Sequence, residues 1–191
     1  MPVFTTPAWY AGRERAPHLE QPGHRERLLL AADMVHEAHT AYGIQSVVDL
    51  GAGDGGLLSW LEAPDGQPWQ FGPTMWGYDL QQTNVAGARE RGVDVHLGDV
   101  LHDDIEWGDL AVATEILEHL LDPHGFVRYM AQKSQAVVVS SPYTETDVEH
   151  YEFHTFAWDI SGYQDLVTQG GFSVVRHETA AGSQVILGVQ L

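Results

Sequence analysis

The sequence predicts an α/β protein, a three-layer sandwich in which a mostly parallel seven-stranded sheet carries helices on both faces. Three observations predict it. Short β-branched and apolar runs alternate with segments of helical period along the chain, the pattern that builds parallel sheets through crossover helices. The first such run, 47–50, opens directly into Gly51-Ala52-Gly53-Asp54-Gly55-Gly56, a glycine-dense bend between a buried strand and a helix. Acids also stand at or beside the tips of three predicted strands: Asp49, Asp79 and Asp99. In sheets of this class ligands lie outside the carboxyl ends of the strands, which is where these acids fall.

Taken in order, residues 1–23 are rich in Pro, Gly and Arg, with Trp9 and Tyr10 among them, and predict no regular element. A helix begins near Gly23: Leu28, Ala31, Ala32, Val35, Ala38 and Tyr42 recur at helical spacing, Glu26, Asp33, Glu37 and Thr40 take the other face, and Gly43 ends it. Strand 47–50, the glycine bend and a short helix at 57–61 follow. Pro64, Gly66, Pro68, Gly72 and Pro73 mark a long loop. Next come strand 75–78 ending in Asp79, helix 83–91 stopped by Gly92, strand 93–97 ending at Gly98-Asp99, and strand 109–113. Helix 122–132, buried strand 136–140, and helix 159–169 ended by Gly170-Gly171 lead to two closing strands, 172–177 and 184–189. The expected division is an N-terminal segment at 1–23, a candidate lid, and one domain at 24–191.

Composition narrows the function classes. The chain has 191 residues, 43% of them apolar, enough for one domain with a core. No cysteine is present, which excludes disulfides, thiolate metal sites and cysteine nucleophiles. There are 27 acidic residues against 9 basic ones, a net charge of -18, and Lys133 is the one lysine. Such a charge repels phosphate backbones, so it argues against nucleic acid and for a small or cationic partner; the plainer reading is that it serves solubility. With no apolar leader pattern and no apolar run of membrane-spanning length, a cytoplasmic protein without a membrane partner is expected.

Carboxylates accept hydrogen bonds only. Three of them around a glycine-rich bend suit a ligand rich in hydrogen-bond donors. The run Val47-Val48-Asp49-Leu50-Gly51-Ala52-Gly53-Asp54-Gly55-Gly56 resembles the cofactor loop of the Rossmann-like, class I S-adenosylmethionine-dependent methyltransferases, and the resemblance extends from about residue 24 to the end. It implies a last strand running antiparallel. It also implies that Asp49, Gly51, Ala52 and Gly53 face the methionine portion of S-adenosylmethionine. Asp79 would accept the ribose hydroxyls with Leu80 on the adenine, Asp99 would meet the adenine amine with Val100 beside the ring, and Thr114 would border the cofactor from the fourth strand. Gly51-x-Gly53-x-x-Gly56 fits a dinucleotide fingerprint too, but Asp49 ahead of the first glycine and a helix ahead of the first strand favour the methyltransferase.

The fourth strand leads into Thr114-Glu115-Ile116-Leu117-Glu118-His119. Glu-x-x-Glu-His of this kind resembles quinone O-methyltransferases and the metal-dependent enzymes that methylate the 2′-hydroxyl at small-RNA ends. His154-Thr155-Phe156-Ala157-Trp158 is similar to a His-x-Phe-x-Trp run of the latter. The resemblance implies a divalent-metal set of Glu115, Glu118, His119 and His154. Departures are Tyr143 where that family has Asn after the fifth strand, and Phe153 and Ala157 in place of acids. The plainer reading places Glu118 at the positive end of a helix and leaves His119 packed or facing substrate. Ser141-Pro142-Tyr143 lacks the second proline of the amino-group DNA methyltransferase motif and follows a different strand, so that match is rejected.

If the acceptor is a hydroxyl, its proton must go to a base. His119 and His154 are the candidates, with Glu115 beside them and His150 behind. In the N-terminal segment Trp9, Tyr10, Arg13, Arg15 and His18 combine aromatic surface with donors, as a lid would; a loose tail is the alternative. Trp69, Phe71 and Trp76 are expected to pack. The expected activity is methyl transfer to O or N of a small-molecule acceptor. The alternatives are metal-dependent transfer to an RNA 2′-hydroxyl or a diol, and a cofactor-binding module without catalysis.

Overall fold

The computed structural model describes residues 8–9, 12–63, 72–146, 148–149 and 151–190. Tyr10, His150 and the loop residues Pro64, Gly66, Pro68, Trp69 and Phe71 lie outside them. The elements are α1 (Pro22–Tyr42), β1 (Ser46–Leu50), α2 (Gly56–Glu62), β2 (Thr74–Asp79), α3 (Gln82–Arg91), β3 (Val95–Leu97), β4 (Leu110–Thr114), α4 (Pro123–Lys133), β5 (Ala136–Pro142), α5 (Ile160–Gly170), β6 (Ser173–Ala180) and β7 (Ser183–Val189). Short 3-10 turns occur at His18–Glu20 and Leu117–His119.

One seven-stranded sheet runs in the order β3-β2-β1-β4-β5-β7-β6. Neighbours are parallel except β7, which is antiparallel to both β5 and β6. Alternate residues of the central strands face opposite layers. Val47, Leu110, Val112 and Val138 pack with Leu28, Val35 and Ala38 of α1 and Leu57 of α2. Val48, Ala111, Ala113, Val137 and Val139 pack with Phe126 and Met130 of α4 and Tyr163 and Leu166 of α5. Covered on both sides, these strands read as unbroken apolar runs.

Helix ends follow their capping chemistry. Asp122 and Asp159 each accept an N–H of their helix, from Gly125 (2.8 Å) and Gly162 (2.7 Å). Three details differ from expectation. Tyr42 lies in the last turn of α1, 41% exposed, while Met34 is buried; position 42 is on the apolar stripe, but the helix outruns the core there. β3 begins at Val95, because the Val93 N–H closes the end of α3 on the Ala88 carbonyl (3.2 Å). β6 runs on to Ala180 through polar residues, because pairing with β7 persists past an irregularity between Val174 and Arg176. Among the described residues no helix is long and apolar enough to cross a membrane.

The bend after β1 has little spare room. Gly55 precedes α2 with φ +72°, and a Cβ there would lie 2.4 Å from Val93 Cγ2. Gly43 has a similar φ, +73°, with nothing within 4 Å. Gly55→Ala is therefore expected to cost about 2 kcal/mol or more, a left-handed penalty plus overpacking. Gly43→Ala is expected to cost about 1 kcal/mol. Urea denaturation of both variants checks the ordering.

Candidate active site

β1, β2 and β3 are neighbours, and they bring Asp49, Asp79 and Asp99 to the same end of the sheet. The glycine bend is lashed to β2, since the Gly51 and Ala52 N–H groups both donate to the Tyr78 carbonyl (2.8 and 2.9 Å). On its other side it meets the exit of β4, where a Cβ at Gly51 would lie 2.3 Å from Ile116 Cδ1. Ala52 is buried, and Leu80, Val100 and Thr114 are half-buried around the same rim. Gly98 N–H donates to the Asp79 carbonyl (3.1 Å), which joins the tips of β2 and β3.

The three acids are satisfied to different degrees. Asp79 is buried and takes three donors: Gly53 N–H on Oδ2 (2.8 Å), and Gln81 N–H (2.7 Å) and Asn84 Nδ2 (3.1 Å) on Oδ1. Burial raises its pKa, and these three bonds oppose the rise. Asp49 is 2% exposed, and its Oδ1 has no partner among the described residues. Burial, and then the charge of Asp79, push it up to about 7. Asp99 caps the turn that follows it, accepting from Leu101 N–H (3.0 Å) and pairing with His102 Nδ1 (2.8 Å).

The N-terminal segment crosses this rim. Arg15 and Arg91 both bind Asp54 Oδ2, with Arg15 Nη2 at 3.0 Å and Arg91 Nη2 at 2.7 Å, and Asp54 is 1% exposed. Arg15 is thereby occupied by protein acids, Glu90 being the second (2.8 Å). His18 sits 3.6 Å from where a Gly53 Cβ would be and stacks on His24 (4.8 Å). Burial first, then His24 and Arg27, hold His18 down to about 4. Further along, Trp9 carries the Arg13 guanidinium over its ring and packs on Phe153 (4.6 Å). Within β2, Trp76 is buried as expected, and its Nε1–H donates to the Glu106 carbonyl (3.3 Å).

At the exit of β4, Glu115 has φ +57°. Its carboxylate accepts from Ser140 Oγ (2.9 Å) and lies 3.5 Å from the buried Arg27 guanidinium. Glu118 departs from the plainer expectation. It lies inside the 3-10 turn and not at a helix start, α4 beginning at Pro123 behind its own Asp122 cap. The turn folds its side chain inward to complete burial, with neither oxygen partnered among the described residues. Burial and Glu115 raise its pKa well above the carboxylate range. The Glu118 carbonyl meanwhile accepts from Thr155 N–H (2.7 Å) and Phe156 N–H (3.2 Å), pinning the loop that carries His154.

His119 and His154 meet edge to face at 4.6 Å. His119 Nδ1 lies 3.2 Å from the Phe153 carbonyl and His154 Nδ1 lies 2.6 Å from Glu145 Oε2. Each ring thus has an acceptor at Nδ1, which puts the lone pair on Nε2. Burial, then His154, hold His119 down to about 4. Ligand atoms of Glu118, His119 and His154 lie within 4.8 Å of one another. Glu115 is not in this group. Asp54, Asn84, Arg27 and Glu145 are neighbours of the candidate site that the sequence does not single out; the acid within the glycine bend is the one available signal, for Asp54.

A family model described as a methyltransferase domain matches residues 11–178. Among solved structures, magnesium protoporphyrin IX methyltransferase from Synechocystis PCC 6803, with bound S-adenosylhomocysteine, aligns over 95% of this chain and 91% of its own at TM-score 0.67 and 14% identity. The methyltransferase domain of bacterial CtHen1 aligns over 85% of this chain and 99% of its own at TM-score 0.63 and 20% identity. The N-terminal domain of EvdMO1, crystallised in the presence of S-adenosylhomocysteine and D-fucose, aligns over 84% and 82% at TM-score 0.57 and 18% identity. No curated protein matches the sequence. At these identities the structures speak for the fold, which is the Rossmann-like one of class I. The family model covers most of the chain, and the protein belongs to the methyltransferase domain family.

Proposed function

We propose that the chain transfers a methyl group from S-adenosylmethionine to an oxygen or nitrogen of a small-molecule acceptor. The observation that carries this reading is the unpartnered, buried Oδ1 of Asp49 beside a glycine-rich bend. An orphaned carboxylate oxygen is costly, and the ammonium of the cofactor's amino-acid tail is a donor that answers it. Gly51, Ala52 and Gly53 would pass close to that tail, and Asp79 would take the ribose hydroxyls with Leu80 against the adenine. Asp99 would reach the adenine amine with Val100 alongside, and Thr114 would flank the cofactor from β4. Residues 12–21 would wall the site at the methionine end.

The cofactor supplies an electrophilic methyl group. What remains for the protein is alignment and removal of the acceptor's proton. His154, backed by Glu145 at 2.6 Å, is suited to that proton. His119, held down to about 4, is a weak base and would orient the acceptor. Glu115 at the tip of β4 would receive a donor of the acceptor. A surface of net charge -18 favours a neutral or cationic acceptor.

A second reading is favoured by Glu118. A fully buried, unpartnered carboxylate beside two imidazoles with lone pairs on Nε2 suits a divalent cation of borderline hardness. Glu118, His119 and His154 would hold it, with Glu145 fixing the His154 ring. Such an ion lowers the pKa of an acceptor hydroxyl. In that case His154 is a ligand and no longer the base.

Calorimetric titration with S-adenosylhomocysteine tests the first reading. Saturable binding is expected, and none at millimolar ligand overturns it. Asp79→Ala is expected to weaken binding about tenfold or more, as for loss of charge-assisted hydrogen bonds. Affinity also depends on pH through Asp49. Below about 7 its carboxyl is protonated in the free protein, so binding the ammonium must expel that proton. Affinity is expected to fall as pH is lowered from 8 to 6, and Asp49→Asn should flatten the profile at a weaker value. For the cation, Mn²⁺ titration should reveal one saturable site that Glu118→Gln and His154→Ala abolish. Methyl transfer unaffected by chelators, together with no saturable Mn²⁺ site, removes the second reading.

A further inference from the structure

Asp79 is connected to the N-terminal segment by one buried side chain. Asn84 on α3 is 2% exposed. Its Nδ2 donates to Asp79 Oδ1 (3.1 Å), and its Oδ1 accepts from the Ala16 N–H (3.2 Å). The amide sits one way round only, since a backbone N–H requires its oxygen and an ionised carboxylate requires its NH₂ group. On either side of this bridge the segment is fastened. Thr83 Oγ1 donates to the Arg13 carbonyl (2.9 Å), Arg15 holds Asp54 and Glu90, and Glu20 pairs with Arg91 (3.0 Å). The fit against α3 is close, for a Cβ at Gly87 would lie 2.4 Å from Arg15 Nε.

We propose that Asn84 is a positioning residue that links the docking of residues 13–20 to the setting of Asp79, so that docking and cofactor binding favour each other. The proposal rests on the reading that Asp79 holds the cofactor ribose. With the segment docked, Ala16 orients the amide, and Asp79 has three donors that fix its plane and oppose the effect of burial on its charge. With the segment undocked, the amide loses its anchor and Asp79 is held by Gly53 and Gln81 alone. One charge-assisted hydrogen bond then differs between the two states. A ligand that needs Asp79 ionised and aimed must prefer the docked state, and linkage makes the preference reciprocal.

The test is a calorimetric cycle with S-adenosylhomocysteine, joined to hydrogen exchange of the amides at 13–20. Ala16→Pro deletes one N–H, Arg15→Gln loosens the segment, and Asn84→Leu cuts the bridge while filling its volume. Ala16→Pro and Arg15→Gln are each expected to weaken binding about fivefold or more in the native background, with no further effect beside Asn84→Leu. Ligand should slow exchange at 13–20 in the native protein and not in Asn84→Leu. Effects that simply multiply, or equal protection with and without Asn84, overturn the proposal. If Asn84→Leu fails to fold, Ala16→Pro decides: unchanged affinity and unchanged protection overturn it. A native protein that does not bind S-adenosylhomocysteine at all fells the cofactor reading and this proposal with it, an outcome distinct from a cycle whose effects multiply.

Discussion

A carboxylate taken out of water must be given donors or give up its charge, and much of this molecule is arranged around that constraint. Four acids near the carboxyl ends of β1, β2 and β4 are buried, and they meet the constraint differently. Asp54 is answered by two guanidinium groups. Asp79 is answered by three N–H donors. Asp49 has one oxygen unanswered, and Glu118 has both. The first two arrangements are complete as they stand and hold the glycine bend and the N-terminal segment in place. The last two are complete only with a proton or a positively charged guest, which is why the site is read from them.

The parallel sheet explains why these acids meet. Each parallel strand returns through a helix, so strand exits gather on one edge while the helices fill both faces. The order β3-β2-β1-β4 then places the acids of β1, β2 and β3 on one side of the glycine bend and Glu115 and Glu118 on the other. Gly51 against Ile116 brings the two halves into van der Waals contact. The glycine bend after β1 and the exit of β4 thus meet at Gly51.

Much of this was legible in the sequence, and for identifiable reasons. Strands covered on both faces leave unbroken apolar runs such as Val137 to Val139, and glycines and aspartates punctuate them, so element types and the acids at strand tips could be read locally. Asn84, Arg27 and Glu145 could not. Their roles come from partners such as Ala16 and Asp79, Glu115, and His154, which chain geometry brings together across intervening residues. The burial of Glu118 was hidden because Glu-x-x-Glu-His scans as the start of a helix, whereas the chain makes one 3-10 turn and defers the helix to Pro123. Tyr42 shows the opposite error: its spacing suits the apolar stripe, but the core ends before the helix does.

Glu118 serves two masters through different atoms. Its backbone carbonyl tethers the loop of His154 by two N–H groups, and its side chain supplies the open acid. Carbonyls are common to all residue types. The architecture of this corner is therefore insulated from the identity of the side chain there, and a lineage carrying this fold is free to gain, lose or exchange the chemistry at that position while the histidine opposite stays in register.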